Sequence, residues 1–164
     1  MNEVEVFIEV CREDVKLPFY ANENDAGMDV CAAVDMLIKP GETVIVPTGL
    51  KVAIPAGYEI QIRPRSGISA KNPIRIPNTP GTIDAGYRDE VGVIMTNISD
   101  ESYIDNGPFN IGDKGNNKGV YSIKKGDRIA QMVLQRVPTI KFIQVDDVGK
   151  IGTNRGGGFG SSGV

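Results

Sequence analysis

The chain has 164 residues, a formal net charge of −3 at pH 7 and no histidine. This length is enough for one domain with a buried core, and the small negative charge excludes a general attraction to nucleic acid or to anionic membranes. The missing histidine removes the commonest general base and the commonest transition-metal ligand. Catalysis at neutral pH must therefore use carboxylates, lysine, tyrosine, hydroxyl groups or a hard metal ion such as Mg²⁺.

The sequence also lacks the features of a membrane or secreted protein. No apolar run approaches the ~20 residues of a membrane span. The first ten residues, MNEVEVFIEV, have neither the basic start nor the apolar stretch of a signal peptide. The two cysteines, Cys11 and Cys31, fit no metal-binding spacing and lie in or beside apolar runs. We expect buried, reduced thiols and a cytoplasmic protein.

Short apolar runs separated by turns dominate the chain. The first, residues 3–10 (EVEVFIEV), alternates apolar residues with glutamate and predicts a half-buried strand. Proline and glycine mark turns between the runs, and no window predicts a long helix, although residues 65–72 (RSGISAKN) fit one short helical turn. The chain therefore predicts an all-β sandwich or closed barrel, in one domain over residues 1–164. Further strands are predicted within residues 28–34, 43–55, 57–64, 90–99, 121–125, 128–137 and 139–145.

Two segments stand outside this pattern. Residues 100–119 are polar and rich in glycine and asparagine, which predicts a long surface loop or hairpin insertion between two strands. Residues 148–164 contain seven glycines without periodicity, which predicts a flexible tail. This tail also shows the GxGxxG spacing of dinucleotide-binding loops. Only Val164 follows the last glycine, so no helix N-terminus is available for a pyrophosphate, and we reject that interpretation.

Two stretches in the first half of the chain carry polar residues beside predicted strands. In DAGMDVCAA, Asp25 and Asp29 flank a glycine turn, and Asp25 taken alone is best interpreted as a turn residue. In RPRSGIS, the adjacent Arg65, Ser66 and Gly67 offer a guanidinium, a hydroxyl and a backbone N–H. That combination fits an oxyanion or phosphate cradle, and it fits a surface turn with a solvated arginine equally well.

Two further stretches lie in the second half. In PNTPGTIDAGYRDEVGV, a tight turn at Asp84 joins two apolar runs, which predicts a hairpin with a partly buried carboxylate. Asp84 is then a candidate general base, although a turn-capping aspartate is the commoner case. In KGDRIAQMVL, Gln131 lies on a buried strand and needs hydrogen-bond partners, whereas we expect Arg128 to bond to the backbone in a structural role.

The tail sequence RGGGFGSSG contains two residues that are unusual in a linker. Arg155 suits a phosphate group, and Phe159 suits stacking on a nucleobase. A disordered glycine- and serine-rich linker is the alternative interpretation.

Taken together and in this order, the five stretches strongly resemble the five motifs of the trimeric deoxyuridine triphosphatases (dUTP pyrophosphatases). The resemblance extends from about residue 4 to residue 164. It implies a jelly-roll β fold, a homotrimer with active sites between subunits, and hydrolysis of dUTP to dUMP and pyrophosphate. It also implies Mg²⁺ chelated by the triphosphate and by water, and a C-terminal tail that closes a site formed largely by the other two subunits.

The resemblance implies a role for each matching residue. Asp84 would activate the water that attacks the α-phosphorus, and Asp29 would hold water molecules of the Mg²⁺ shell. Tyr87 would pack against the deoxyribose and exclude a 2′-hydroxyl. Arg155 would reach the γ-phosphate, and Phe159 would stack on uracil. The implied phosphate ligands are Arg65, Ser66, Gly67 and Gln131; the implied uracil contacts are Asn78, Thr82, Ile83 and Gly92; Gly160 is a further implied substrate contact.

Three features depart from the family pattern, and two alternatives stay open. Asp89 replaces the usual glycine, the tail has one residue fewer than usual between Arg155 and Phe159, and the 100–119 insertion is long. A deoxycytidine triphosphate deaminase of the same fold would need a glutamate in the third motif, where Glu90 is the only nearby one. A regulatory, protein-binding role would use the apolar residues of the insertion, which are Tyr103, Ile104 and Phe109.

Overall fold

The computed structural model describes residues 3–157, so Phe159 and Gly160 of the tail lie outside the described residues. Short strands and one short α-helix make up the regular structure of this part of the chain. The strands are β1 Phe7–Val10, β2 Met28–Cys31, β3 Met36–Ile38, β4 Thr43–Pro47, β5 Leu50–Ala53, β6 Tyr58–Arg63, β7 Ile74–Arg75, β8 Gly81–Ile83, β9 Gly92–Asn97, β10 Phe109–Asn110, β11 Tyr121–Ile123 and β12 Arg128–Arg136. The α-helix is α1, Ser66–Lys71, and single 3₁₀ turns span Glu101–Tyr103 and Val148–Lys150.

The strands form small sheets whose neighbours are antiparallel, except for the parallel pair β10 and β11. The largest sheet has the order β2-β12-β6-β8, and a second has the order β4-β9-β7. A third has the order β10-β11-β3, and β1 pairs with β5. The predicted all-β class is confirmed, and so is the short helical turn predicted over residues 65–72. No helix within residues 3–157 is long and apolar enough to span a bilayer.

Alternating side chains build the core, as expected for strands with one face covered. On β6, Ile60 and Ile62 are buried, while Gln61 between them and the other residues of the strand are half-buried. On β9, Val93 and Met95 are likewise buried. Each fully buried aliphatic side chain of this kind contributes roughly 1.5–3 kcal/mol, so the packing between the sheets holds the strands in register.

Two predicted strands differ in the structure. The run over residues 43–55 divides into β4 and β5, because Gly49 adopts a φ of 73°, outside the range of a regular strand. A Cβ at Gly49 would also collide with the side chain of Val15. The run over residues 139–145 forms no strand, and Phe142 is 89% exposed. No strand within residues 3–157 pairs with this segment, so its apolar side chains stay exposed.

The first strand is also less buried than predicted. Regular pairing starts only at Phe7, and all four residues of β1 are exposed. Val4 and Val6, before the strand, are partly buried. Their side chains line an open groove of about 850 Å³ together with Ile8. The apolar face predicted for residues 3–10 therefore exists but lacks a cover within one chain.

The predicted hairpin around Asp84 is wrong. β8 pairs with β6, whereas β9 pairs with β4 and β7 in a different sheet. Residues 84–91, called the 84–91 connection below, therefore link two sheets. The tight turn itself is present, because the Tyr87 N–H donates to the Asp84 carbonyl at 3.0 Å. β8 and β9 follow each other in sequence but do not pair with each other, and a local sequence pattern cannot reveal this.

The 100–119 insertion folds against its own chain. The Asp100 side chain accepts a hydrogen bond from Ser102 N at 2.8 Å and starts the first 3₁₀ turn. The ring of Phe109 lies 5.8 Å from that of Tyr121, centroid to centroid. Ile111 is buried, and its carbonyl accepts a hydrogen bond from a buried asparagine side chain at 2.6 Å. These contacts anchor the second half of the insertion to the core.

Candidate active site

A buried carboxylate lies on β2, an edge strand of the largest sheet. The side chain of Asp29 on β2 is only 2% exposed. Arg65 Nε donates to its Oδ1 at 3.0 Å, and Arg128 Nη1 donates to its Oδ2 at 3.0 Å. Gln131 Nε2 lies 3.5 Å from Oδ1. Since a buried charge is stable only when it is paired, these residues form one unit, which we call the Asp29 cluster.

The strand register explains why these residues meet. β12 runs between β2 and β6, and its Gln131 is paired with Asp29 on one side and with Arg63 on the other. Arg65 follows β6 by two residues and reaches back over the sheet. Arg128 lies at the start of β12, where the register to β2 shifts by one position. The cluster is thus assembled from three adjacent strands.

The role predicted for Arg128 is wrong. We expected its side chain to bond to the backbone, but it forms an ion pair with Asp29 instead. The misinterpretation arose because Asp29 lies about 100 residues away in sequence, and no local feature couples them. A signal was nevertheless present: an aspartate on a buried apolar strand requires a nearby cation.

Hydrogen-bond donors dominate the solvent side of the cluster. Two guanidinium groups face one carboxylate, so the cluster has an excess of positive charge. The side chains of Arg65 and Arg128 are 25% and 47% exposed and therefore still reach solvent. Ser66 and Gly67 are exposed at the start of α1, where backbone N–H groups have no partner within the helix. A Cβ at Gly67 would meet no heavy atom within 4 Å, so the space before this backbone is open. The arrangement suits an anion with several oxygens.

The 84–91 connection carries the candidate base. Asp84 is exposed, contrary to the partial burial that we expected. Arg88 Nη1 donates to the carbonyls of Ala85 and Tyr87, at 2.6 Å each, and thereby closes the turn from within. The hydroxyl of Tyr87 donates to the carbonyl of Glu90 at 2.9 Å, which leaves its ring 36% exposed. A carboxylate and an aromatic ring therefore face solvent on the same short segment.

An ion pair anchors the C-terminal end of this connection. Arg12 Nε and Nη2 donate to the two carboxylate oxygens of Glu90 at 2.6 and 2.7 Å. The Gly49 N–H donates to Glu90 Oε1 at 2.7 Å. The hydrogen bond from Arg12 is the main reason why the pKa of Glu90 lies below its usual value, and burial opposes it. Sequence reasoning assigned no role to Arg12.

The remaining predicted nucleoside contacts lie along β8 and at the start of β9. Asn78 and Thr82 are exposed, and Ile83 is half-buried. Asn78 Nδ2 lies 3.1 Å from the position that a Cβ on Gly81 would take. A Cβ on Gly92 would lie 2.5 Å from Ile45 Cγ2, so only glycine fits there. Gly81 and Gly92 are thus the positions where an added side chain would meet a neighbour.

Asp89 is exposed and lies near Lys51 of β5. Its negative charge contributes to the raised pKa of Lys51, although the hydrogen bond from Lys51 to Glu9 is the main cause. Asp89, at the position where the family usually has glycine, therefore adds negative charge to the surface near β5.

Within one chain, Asp84 and the Asp29 cluster are far apart. Gln131 is paired with Arg63, while Ile83, which precedes Asp84, is paired with Ile60. Three residues of β6 and two interstrand spacings separate these positions, which gives about 14 Å. Arg155 lies on an exposed segment outside helices and strands. A single chain thus brings together Asp29, Arg65, Gln131 and the start of α1, but not Asp84 or Arg155.

The cluster does not form a protein cage for a metal ion. Within residues 3–157, no three acidic, cysteine or histidine side chains converge on one point. The acceptor positions of Asp29 are occupied by two contacts at 3.0 Å and two at 3.5 Å from Arg65, Arg128 and Gln131. Asp29 is thus the one carboxylate of the cluster, and three donor side chains share its two oxygens.

Comparison with known proteins decides the family. The dUTPase family model matches residues 13–107 and 115–163. The chain belongs to the dUTPase family. The gap in the match falls within the 100–119 insertion. Curated relatives named deoxyuridine 5′-triphosphate nucleotidohydrolase include one from Clostridium tetani, 40% identical over 164 residues and 99% of each chain. One from Fusobacterium nucleatum is 43% identical over 162 residues, or 96% of this chain and 97% of the relative.

Solved dUTPase structures share the fold. A variant of the Staphylococcus bacteriophage 80alpha dUTPase with dUpNHpp superimposes with a TM-score of 0.84 at 29% identity, over 98% of this chain and 99% of that one. A variant of the dUTPase from phage phi11 of S. aureus, described for its coordination of a structural Mg(II) ion, gives 0.80 at 31% identity, over 88% and 99%. The jelly-roll-like fold implied by the motif resemblance is confirmed.

Proposed function

We propose that this chain hydrolyses dUTP to dUMP and pyrophosphate by attack of water on the α-phosphorus. This reaction keeps uracil out of DNA and supplies dUMP for thymidylate synthesis. Family membership supports the reaction class. The observation that carries the proposal is the Asp29 cluster, where two partly exposed guanidinium groups lie beside the exposed start of α1, and the Ser66 and Gly67 N–H groups have no partner among residues 3–157. Phosphoanhydride hydrolysis requires mainly a positioned water and neutralised phosphate charge, and this chain offers both kinds of group.

In this proposal the phosphate ligands are Arg65, the hydroxyl of Ser66, the N–H of Gly67 and the amide of Gln131. Gln131 contacts Asp29 only at 3.5 Å, so little is lost when its amide turns to a phosphate oxygen. Mg²⁺ chelated by the triphosphate would neutralise phosphate charge. Asp29 is the carboxylate that would accept hydrogen bonds from its water molecules, at the positions now taken by the two long contacts.

Asp84 is the proposed general base. It is an exposed carboxylate on a closed turn, in a chain that has no histidine to take the role. Tyr87, on the same connection, would pack against the deoxyribose. Asn78, Thr82, Ile83 and the backbone at Gly92 would contact uracil.

We further propose that the active protein is a homotrimer with sites between subunits. The ~14 Å between Ile83, which precedes Asp84, and Gln131 of the Asp29 cluster supports this, because one triphosphate needs Asp84 and the cluster at neighbouring phosphates. The uncovered apolar residues also support it, since single chains rarely leave so many exposed. They lie after β12 and are Ile140, Phe142, Ile143, Val145, Val148 and Ile151, each at least 44% exposed.

The glycine-rich tail, residues 148–164, is proposed to be a lid over the site of other subunits. Arg155 would contact the γ-phosphate and Phe159 would stack on uracil, with Gly160 beside it. Stacking on a base contributes roughly 1–3 kcal/mol, which offsets part of the entropy lost when a segment becomes ordered.

The two alternatives receive less support. The deaminase would use Glu90, but Arg12 and Gly49 already occupy both carboxylate oxygens. The regulatory role would use the insertion, but Phe109 packs on Tyr121, which leaves Ile104 as its exposed apolar residue. Both cysteines are free thiols, which is compatible with the proposed cytoplasmic location.

The test is to incubate the protein with dUTP, UTP, dTTP and dCTP side by side, with and without Mg²⁺. We expect pyrophosphate and dUMP from dUTP only, strongly reduced by EDTA. Sedimentation of the same sample should give the mass of a trimer. Formation of dUTP from dCTP would establish the deaminase instead, and equal rates with dUTP and dTTP would refute the proposed base recognition.

A further inference from the structure

We propose that Arg12 and Glu90 are positioning residues that set the preference for deoxyribose over ribose, because they hold Tyr87 in place. The inference rests on the proposed function, in which Tyr87 packs against the sugar. Neither residue would contact substrate. Their effect would pass through the backbone of the 84–91 connection.

The first step is the geometry of the ion pair. Arg12 meets Glu90 through two nitrogens and two oxygens, at 2.6 and 2.7 Å. Such a bidentate contact restrains orientation as well as distance. The same carboxylate accepts the N–H of Gly49, whose carbonyl in turn accepts the N–H of Cys11 at 2.8 Å. Glu90 is thereby locked between the segment after β1 and the turn between β4 and β5.

The second step leads from Glu90 to Tyr87. The Glu90 carbonyl accepts the hydroxyl of Tyr87 at 2.9 Å. The next residue, Val91, donates to Leu50 O at 2.8 Å and accepts from Thr48 Oγ1 at 2.6 Å. The backbone at positions 90 and 91 therefore has a defined place, and the tip of the Tyr87 ring is held relative to it.

The third step concerns what else holds the ring. Residues 84–90 have no strand pairing, Ala85 packs against the core, and backbone hydrogen bonds to Thr48 and Leu50 hold Val91. The hydrogen bonds from Arg88 run to carbonyls of the same connection. They shape the turn but do not attach it to the rest of the fold. Arg12 and Gly49 supply the side-chain attachment nearest to Tyr87. Loosening it should shift the ring while leaving the core intact.

Sugar discrimination is sensitive to such a shift. A ring in van der Waals contact with C2′ leaves no room for a hydroxyl, and a displacement of about 1 Å at a positioning group can change rates by ~100-fold. The ion pair itself is partly exposed, at 43% for Arg12 and 25% for Glu90, so it is a minor element of global stability. We therefore expect its removal to change selectivity more than folding.

The experiment compares kcat/KM for dUTP and for UTP in Arg12→Ala, Arg12→Lys and Glu90→Gln. The matched control is Glu9→Gln, which breaks the exposed ion pair with Lys51 between β1 and β5 and leaves the hydrogen bonds between Arg12 and Glu90 in place. We expect the dUTP/UTP ratio to fall about tenfold in Arg12→Ala and in Glu90→Gln. Arg12→Lys keeps the charge but loses the bidentate contact, so its ratio should lie between those of wild type and Arg12→Ala. The control should have the wild-type ratio.

Several outcomes overturn the inference. An unchanged dUTP/UTP ratio in Arg12→Ala does so. If kcat/KM falls equally for both substrates, the ratio is also unchanged, and the role is purely structural. If Glu90→Gln does not fold, Arg12→Lys decides the question by the same ratio. A wild-type chain that hydrolyses dUTP and UTP equally well would instead refute the role of Tyr87 in the proposed function. A selective wild type with equally selective variants refutes only the role of Arg12 and Glu90.

Discussion

Replacing Asp29 by asparagine tests whether the Asp29 cluster is an ion network. The substitution keeps the shape of the side chain but removes the charge that faces Arg65 and Arg128 at 3.0 Å each. Breaking a fully buried ion pair destabilises a protein by about 3–5 kcal/mol, whereas breaking an exposed pair costs about 0–1 kcal/mol. Asp29 is buried at 2% exposure, but its partners are 25% and 47% exposed and can regain water.

We therefore expect Asp29→Asn to lower the free energy of unfolding by about 2–3 kcal/mol, between those limits. The assay is urea unfolding followed by circular dichroism, at one fixed protein concentration because assembly contributes to apparent stability. Glu9→Gln is the control, since its exposed pair with Lys51 should give no measurable loss. Asp29→Asn should also lower kcat/KM for dUTP, because Arg65 loses its orientation. A variant as stable as the control would show that the two arginines do not depend on Asp29, and would refute the network.

Three further predictions follow from the site. Asp84→Asn should reduce kcat by about 10²–10⁴-fold with nucleotide binding largely retained, as single-turnover kinetics and calorimetry would show; near-normal kcat would exclude Asp84 as the base. A chain ending at Asn154, without residues 155–164, should assemble normally in gel filtration yet lose more in kcat than in affinity, and full activity would refute the lid. The pKa of Glu90 lies below its usual 4.5, mainly because Arg12 donates to it, so its stabilising contribution is complete above that pH and is lost as the pH falls. The difference in Tm between wild type and Glu90→Gln should accordingly shrink on acidification, and a constant difference would contradict this assignment.

Local patterns predicted the elements more reliably than their partners. The alternation in β6 and β9 marked the strands correctly, because one face of each is buried and the other is not. The same alternation in residues 139–145 predicted a strand that one chain does not form. A β-strand needs a neighbouring edge, and the presence of that edge depends on distant or separate chains. The hairpin predicted at Asp84 failed for the same reason, since β8 and β9 pair in different sheets.

The sequence likewise predicted some residues of the candidate site and missed others. The residue types at Arg65, Ser66 and Gly67 predicted an anion cradle, and Gln131 was expected to need hydrogen-bond partners. In the structure Arg65 and Gln131 both contact the buried carboxylate of Asp29. Arg128 was misinterpreted and Arg12 was missed, because each acts through a carboxylate about 80–100 residues away in sequence. Ion pairs of this kind leave no periodicity or local motif.

The sequence by itself determined the chemistry and the class of fold. Without histidine, only carboxylates, hydroxyls, amines or a hard cation were left for catalysis, and the order of five motifs indicated the family. Short alternating runs between glycine and proline turns required an all-β protein, since each run can cover only one face. Only the tertiary structure decided which groups meet: strand register joined Asp29 to Arg65 and Arg128, whereas Ile83, which precedes Asp84, lies about 14 Å from Gln131. The physical reason is that hydrophobic periodicity and secondary-structure propensity depend on residues close in sequence. Whether a charge can be buried depends on the partners that the tertiary structure places beside it.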